Sequence, residues 1–371
     1  MVPNFEQLVE RMAASAAQHA TEVDRGNFPK ETIGLARETR LLGLTSSKDV
    51  GGMGEGHRAA SYLIERVSRE CGSTGMVLCM HFSATAMIEP HGPREVREAI
   101  AAGRHLATVA LSEVGSRSEF WIPVSSATPD GDDVLLTAQK SFVTSVRHAD
   151  VYVWGSKPIT NNEISTLWLV PRETFGLQHG LPFDGVGLRG NDSGPLTAEN
   201  VRVPASARLG DDGGGFPIVM SHGLTCFNIL ASSVSAGLME AVVQKTVAHA
   251  AGAKFQHLGS MLADLPTIRA YIARMRIATD QIKTLLADTI TAVETDRPDK
   301  MLRVLESKAA AGEAAGMVTD LAMRVCGGVA FRKDVGIERM FRDARASHIM
   351  APTTDQLYDK LGRAVCGMPL F

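Results

Sequence analysis

Over the first hundred residues the apolar positions fall at helical spacing. Phe5, Leu8, Val9 and Met12 share one helix face, and Leu35, Leu41, Leu42 and Leu44 form a second apolar segment that stops before the Gly51-Gly52-Met53-Gly54 turn. Segments 58–71 and 73–89 read as helices parted by Gly72, after which Pro90, Gly92 and Pro93 punctuate the chain. Near His105 the period shortens. Leu106–Leu111, Val134–Thr137, Val151–Trp154 and Thr166–Val170 are short apolar or alternating runs, separated by turn residues such as Pro129–Asp132. They predict a compact, mostly antiparallel β region over 104–210. Beyond Gly210 the helical period returns over 216–250, 256–295 and 299–326, with a last helix within 354–365. The Ala-rich run Lys308–Gly316 suits close helix packing in a bundle core. The expected organisation is mainly helical α+β: 1–103 helical, 104–210 β, 211–371 helical bundle.

Composition narrows the function classes. The chain has 371 residues, 44% of them hydrophobic, and a formal net charge of -3. That is an ordinary globular balance, and it points to neither nucleic acid nor an anionic membrane as partner. Cys71, Cys79, Cys226, Cys326 and Cys366 are scattered, odd in number and form no CxxC pair. They read as free thiols in a reducing cytoplasm rather than as disulfides or zinc ligands. Met1–Gln7 carries no basic stretch leading into an apolar core, so no secretion signal is expected, and no apolar run is expected to be long enough to span a bilayer.

Several separated segments carry a family signature in order. Phe28-Pro-Lys-Glu through Leu42-Gly-Leu, Gly51-Gly-Met-Gly, Leu111-Ser-Glu-Val-Gly-Ser-Arg-Ser-Glu119 and Lys140-Ser-Phe-Val-Thr come first. Gly187-Leu-Arg-Gly-Asn-Asp-Ser193, Asn200-Val-Arg-Val-Pro204, Gly213-Gly-Gly-Phe216, Cys326-Gly-Gly-Val-Ala-Phe331 and Phe341-Arg-Asp-Ala-Arg345 follow. Each is weak alone, but together they resemble the acyl-CoA dehydrogenase family over nearly the whole chain. The resemblance implies an N-terminal helical domain, a middle β domain and a C-terminal four-helix bundle. It also implies FAD, an acyl-CoA or related substrate, an electron-transfer flavoprotein as redox partner, and a homodimer or homotetramer.

It further implies roles for particular residues. Leu111, Ser112, Ser118, Phe142, Thr144, Thr353 and Asp355 occupy flavin-contacting positions, and Ser118 and Asn228 occupy substrate-contacting ones. Read alone, Phe142 is better taken as a β-core aromatic and Thr144 as an ordinary strand residue; the ordered resemblance is what turns both towards flavin. Arg117 stands where the family carries glycine, and reads either as an anion contact or as a solvated loop arginine. Arg324 reads likewise as a pyrophosphate contact or a bundle ion pair. Between His249 and Gln256 the connection looks shortened and keeps Lys254 as its cation, which implies weaker retention of FAD than an arginine fork would give.

The family's dehydrogenation needs a carboxylate within reach of the substrate α-proton. Its two known base positions fall on Ala351 and Phe227, neither of which can accept a proton. Asp355, His348 and Glu240 are conceivable but unfavoured substitutes, and Asp343 is expected to pair with Arg342 or Arg345. Three readings follow: an oxidoreductase with a relocated base, an oxygenase using reduced flavin, or a non-catalytic subunit completed by a paralogue.

Overall fold

The chain folds as helices, then two β-sheets, then helices again, in a computed structural model that describes residues 4–370. Met1 to Pro3, part of the stretch read for a leader, lie outside the described residues. The N-terminal helices are α1 (Phe5–Asp24), α2 (Lys30–Glu38), α3 (His57–Ser68), α4 (Gly72–Ile88) and α5 (Arg94–Ala101). Phe5, Val9 and Met12 are buried, as the α1 spacing requires.

The strands are β1 (Ala107–Ala110), β2 (Ser126–Asp130), β3 (Asp133–Val143), β4 (Val151–Ser156), β5 (Thr166–Pro171), β6 (Gln178–His179), β7 (Gly194–Pro204) and β8 (Arg208–Leu209). They form two four-stranded sheets, ordered β1-β4-β5-β8 and β2-β3-β7-β6. All pairings among them are antiparallel except β1 with β4, which is parallel. The patterning missed β7, the main partner of β3, because the consecutive exposed residues Glu199 and Asn200 break its alternation between Ala198 and Val201, where the pairing with β3 shifts register. Tyr152, Trp154 and Trp168 fill the sheet core, where the Tyr152 hydroxyl donates to Val146 O at 2.6 Å.

The C-terminal region comprises α6 (Gly215–Ile218), α7 (Thr225–Gly252), the hairpin β9 (Lys254–Phe255) with β10 (Ser260–Met261), α8 (Pro266–Glu294), α9 (Lys300–Cys326), α10 (Ile337–Ala344), α11 (Ala346–Ile349) and α12 (Thr354–Val365). A π-turn over Val219–Leu224 joins α6 to α7. The helix expected from residue 256 starts instead at Pro266, which suits a first helical position because it lacks an N–H. Before it, the Asp264 carboxylate accepts from Met261 N at 2.7 Å and closes the hairpin.

The expectation that no apolar run reaches bilayer length is corrected. Gly215–Gly252 and Lys300–Phe331 are long and apolar enough by length and composition, with 94% and 50% of their apolar windows buried. A helix enclosed on all sides by other helices is apolar all round, which produces the same signal.

One histidine ties the helices to the first sheet. His81 on α4 donates from Nε2 to Leu42 O at 2.8 Å and accepts at Nδ1 from Ala107 N at 3.0 Å. Accepting at Nδ1 requires the neutral ring, and burial pulls the group down to about 4. The unfolded chain therefore binds a proton that the folded chain refuses. This contribution is complete above pH 6.5 and is lost as pH falls from 6.5 towards 4, amounting to up to about 3 kcal/mol. In an NMR titration the His81 ring signals should stay flat down to pH 5; movement centred near 6.5 would contradict this.

Candidate active site

A cavity of about 650 Å³ opens between the sheets and the C-terminal helices. Its walls come from α4, the loop after β1, the end of β3, the 183–193 loop, the start of α7 and residues 342–351. Gly187 belongs to this wall and packs so closely on α10 that a Cβ there would lie 2.3 Å from Arg342 O.

The loop after β1 is held by a buried ion pair. The Lys140 ammonium binds the Glu113 carboxylate and donates to Gly155 O at 2.5 Å, with 0% and 2% of the two side chains exposed. Glu113 also accepts from Val124 N at 2.6 Å and Ser125 N at 2.8 Å. Burial raises the Glu113 carboxyl, but Lys140 and the Ser125 bonds outweigh it and hold it below its usual range. Burial pulls Lys140 down to about 8 against the pull of Glu113. At neutral pH both groups are charged. Backbone bonds from Val114 N to Gln139 O (3.0 Å) and Ser141 N to Ser112 O (2.9 Å) fasten the loop to β3.

On this wall Leu111, Ser112, Ser118, Phe142 and Thr144 come together. Phe142 sits in the left-handed region at φ 55° and is 68% exposed, tilted against Phe183 with ring centroids 4.7 Å apart. A large aromatic strained in this way and open to a cavity offers it a flat apolar surface. Thr144 O accepts from the Thr108 hydroxyl at 2.9 Å, which fixes the strand end beneath it. An apolar plate beside hydroxyl and amide groups suits the ring end of a flavin. Arg117 also lines the cavity, in the left-handed region at φ 54°.

Ala351 and Phe227 both line the same cavity, with Arg345, Ala346, Ile349 and Met350. Beneath them lies Lys308, only 2% exposed, whose ammonium donates to Met350 O at 2.9 Å and Pro352 O at 2.7 Å. Its nitrogen stands 5.9 Å from the Phe227 ring centroid, and burial pulls it down to about 7. Among the described residues no carboxylate pairs with it.

Among the described residues the single carboxylate on the cavity wall is Glu113, already committed to Lys140. The conceivable substitutes lie elsewhere. His348 packs its ring on Gly316 of α9 and faces Glu313 at 3.8 Å. Glu240 pairs with Arg276 at 3.1 Å. Asp343 is corrected: it accepts from Leu188 N at 2.6 Å rather than pairing with Arg342 or Arg345, and burial pushes it up to about 6. Arg342 instead binds Asp24 and Glu338.

Three expected contacts fall outside the cavity. Thr353 caps α12, its hydroxyl accepting from Gln356 N at 3.3 Å. Asp355 is exposed on the first turn of α12, where a carboxylate favours the helix dipole. Asn228 is 0% exposed in the bundle, with neither amide atom hydrogen-bonded, because only Phe227 of that turn reaches the cavity. Arg324 takes its ion-pair reading, bound to Asp320 at 2.9 Å one helical turn away. Sequence reasoning missed the Met76, Met80, Ser83 and Met87 wall. Residues of α4 are buried nearly all round, so no amphipathic stripe marks the face that meets a ligand.

Comparison with known proteins agrees with this architecture. Residues 4–103 match the acyl-CoA dehydrogenase N-terminal domain, and residues 213–366 match the acyl-CoA dehydrogenase C-terminal domain. The chain is 29% identical to the mitochondrial short-chain specific acyl-CoA dehydrogenase of Bos taurus, over 95% of this chain and 88% of that protein. It is 27% identical to a probable acyl-CoA dehydrogenase of Bacillus subtilis (strain 168), over 95% and 97% respectively. The solved butyryl-CoA dehydrogenase of Megasphaera elsdenii superposes with a TM-score of 0.91 at 21% identity, covering 99% of each chain.

Proposed function

Because the chain belongs to the acyl-CoA dehydrogenase family, we propose that it is a FAD-dependent oxidoreductase acting on an acyl thioester or a related small substrate. The observation that carries this reading is one cavity with Leu111, Ser112, Ser118, Phe142 and Thr144 on one side and Phe227 and Ala351 on the other. FAD, when bound, supplies the two-electron chemistry. Phe142 and Leu111 offer it apolar contact, and Ser112 and Thr144 offer hydrogen bonds to its polar edge. Ser118 lies where it can meet flavin or substrate. The methionines of α4 keep water from the acyl chain. The β9–β10 hairpin carries Lys254 and no guanidinium, so FAD is expected to dissociate more readily than from an arginine fork.

The chain itself supplies no proton acceptor at either customary spot, and that favours a second reading. A flavin-dependent oxygenase on this fold takes up reduced flavin and needs no α-proton abstraction. A non-catalytic subunit completed by a paralogue is distinguished from both by its lack of colour.

An electron-transfer flavoprotein as redox partner, a dimer-based assembly and a cytoplasmic setting complete the proposal. Exposed Phe331, Ile349 and Tyr358 on the C-terminal helices support the assembly, and the unpaired thiols support the reducing setting.

The deciding measurement is the absorbance spectrum of the pure protein, then titration with an acyl-CoA. Bleaching of a flavin band without added reductant supports dehydrogenation. Turnover of oxygen only after reduced flavin is supplied sinks it in favour of the oxygenase. A sharper check uses Phe142→Gly. Relief of the left-handed strain should leave stability equal or higher, while loss of the aromatic plate weakens flavin binding about tenfold. Unchanged flavin affinity would remove Phe142 from the site.

A further inference from the structure

The geometry points to an anion subsite at the Ala351 end of the cavity, one that receives a carboxylate carried by the acyl group on its α- or β-carbon. This inference rests on the acyl-thioester reading above and names the substrate class.

The built charge is Lys308. Its two hydrogen bonds bracket residue 351, to the carbonyl before it and the carbonyl after it. Backbone geometry between Met350 O and the next Cα then places the ammonium within about 6 Å of the Ala351 Cα. A buried cation is costly unless an anion answers it. Here the answers are two carbonyl dipoles and the face of Phe227, together with the Cys79 thiol on α4, the titratable group facing it. Burial raises that thiol well above its ordinary value, so it stays neutral.

The rest of the cavity is biased the same way. Among the described residues four arginines line it, Arg117, Arg189, Arg342 and Arg345, against the one carboxylate of Glu113. Arg189 is paired with Asp184, Arg342 with Asp24 and Glu338, and Glu113 with Lys140. Arg117 and Arg345 have no carboxylate within ion-pair distance among the described residues. A protein of net charge -3 thus presents a cationic cavity.

Ala351 lines the cavity directly above the two carbonyls that hold Lys308, and its methyl takes up less room there than any longer side chain, so a ligand carboxylate is of the right sign to approach that end. Attraction across about 6 to 7 Å, at an effective dielectric near 20, is enough for a tenfold gain in binding after part of it is spent on desolvation.

The test compares succinyl-CoA with pentanoyl-CoA on the flavin-loaded protein by calorimetry. Both probes carry the same CoA phosphates, so contacts to those cancel in the ratio. Succinyl-CoA should bind at least tenfold more tightly. Lys308→Met should bring the ratio within twofold of unity. Ala351→Glu keeps Lys308 but fills the subsite with the protein's own carboxylate, and should invert the preference even where the lysine variant fails to fold. Pentanoyl-CoA binding with no preference for succinyl-CoA overturns the subsite and leaves the oxidoreductase reading standing. A preference that survives Ala351→Glu also overturns it, and binding of neither thioester overturns both readings.

Discussion

Ala351→Glu is expected to raise flavin-dependent dehydrogenation of a straight-chain acyl-CoA by about 10²–10⁴-fold, the range a positioned general base contributes. Ala351 lines the cavity opposite the flavin-contacting wall, and the carbonyls on either side of it are tied to Lys308. The new carboxylate would therefore leave a fixed backbone and point into the substrate space. The ammonium beneath also favours the ionised form, which is the form that accepts a proton. Steady-state rates with an artificial acceptor, on flavin-loaded wild type and variant, measure the gain. An unchanged rate with flavin and thioester both bound would show that the pocket serves chemistry without α-proton removal.

Lys140→Met should cost about 3–5 kcal/mol, because it strands the Glu113 carboxylate in the interior with its charge unanswered. The damage would also reach the site, since Glu113 gathers Val124 N and Ser125 N around itself and so shapes the loop carrying Ser112 and Ser118. Flavin affinity should fall together with stability. Adding Glu113→Leu should recover most of the stability, because replacing both partners removes the stranded charge. The denaturation midpoints of the wild type, single and double variants give the answer. A single variant within 1 kcal/mol of wild type, or a double variant no better than the single, would mean that the pair does not organise this loop.

Much of the architecture was legible because it is written in periods. The change from helical spacing to short runs near His105, and back after Gly210, matches the two four-stranded sheets, whose strands lie between Ala107 and Leu209. What failed did so for local reasons. Polar residues hid β7, and Pro266 began a helix that patterning had started ten residues earlier. Thr353, read by likeness as a flavin contact, also completes a capping box at the start of α12. Asn228, which by likeness stands where an arginine holds the CoA thioester end, is buried in the bundle one residue past Phe227, because successive helical residues point about 100° apart.

The sequence by itself determined the helix–β–helix order, the family, and the absence of a carboxylate at positions 227 and 351. These depend on residue identity and on repeats a few residues long. Only the tertiary structure decided that those two positions face one cavity, that Lys308 supports the second of them, and that Glu113 is already neutralised. Such facts join residues from different elements. A period shows that a face is buried, whereas long-range packing alone determines which charge lies on the other side of it.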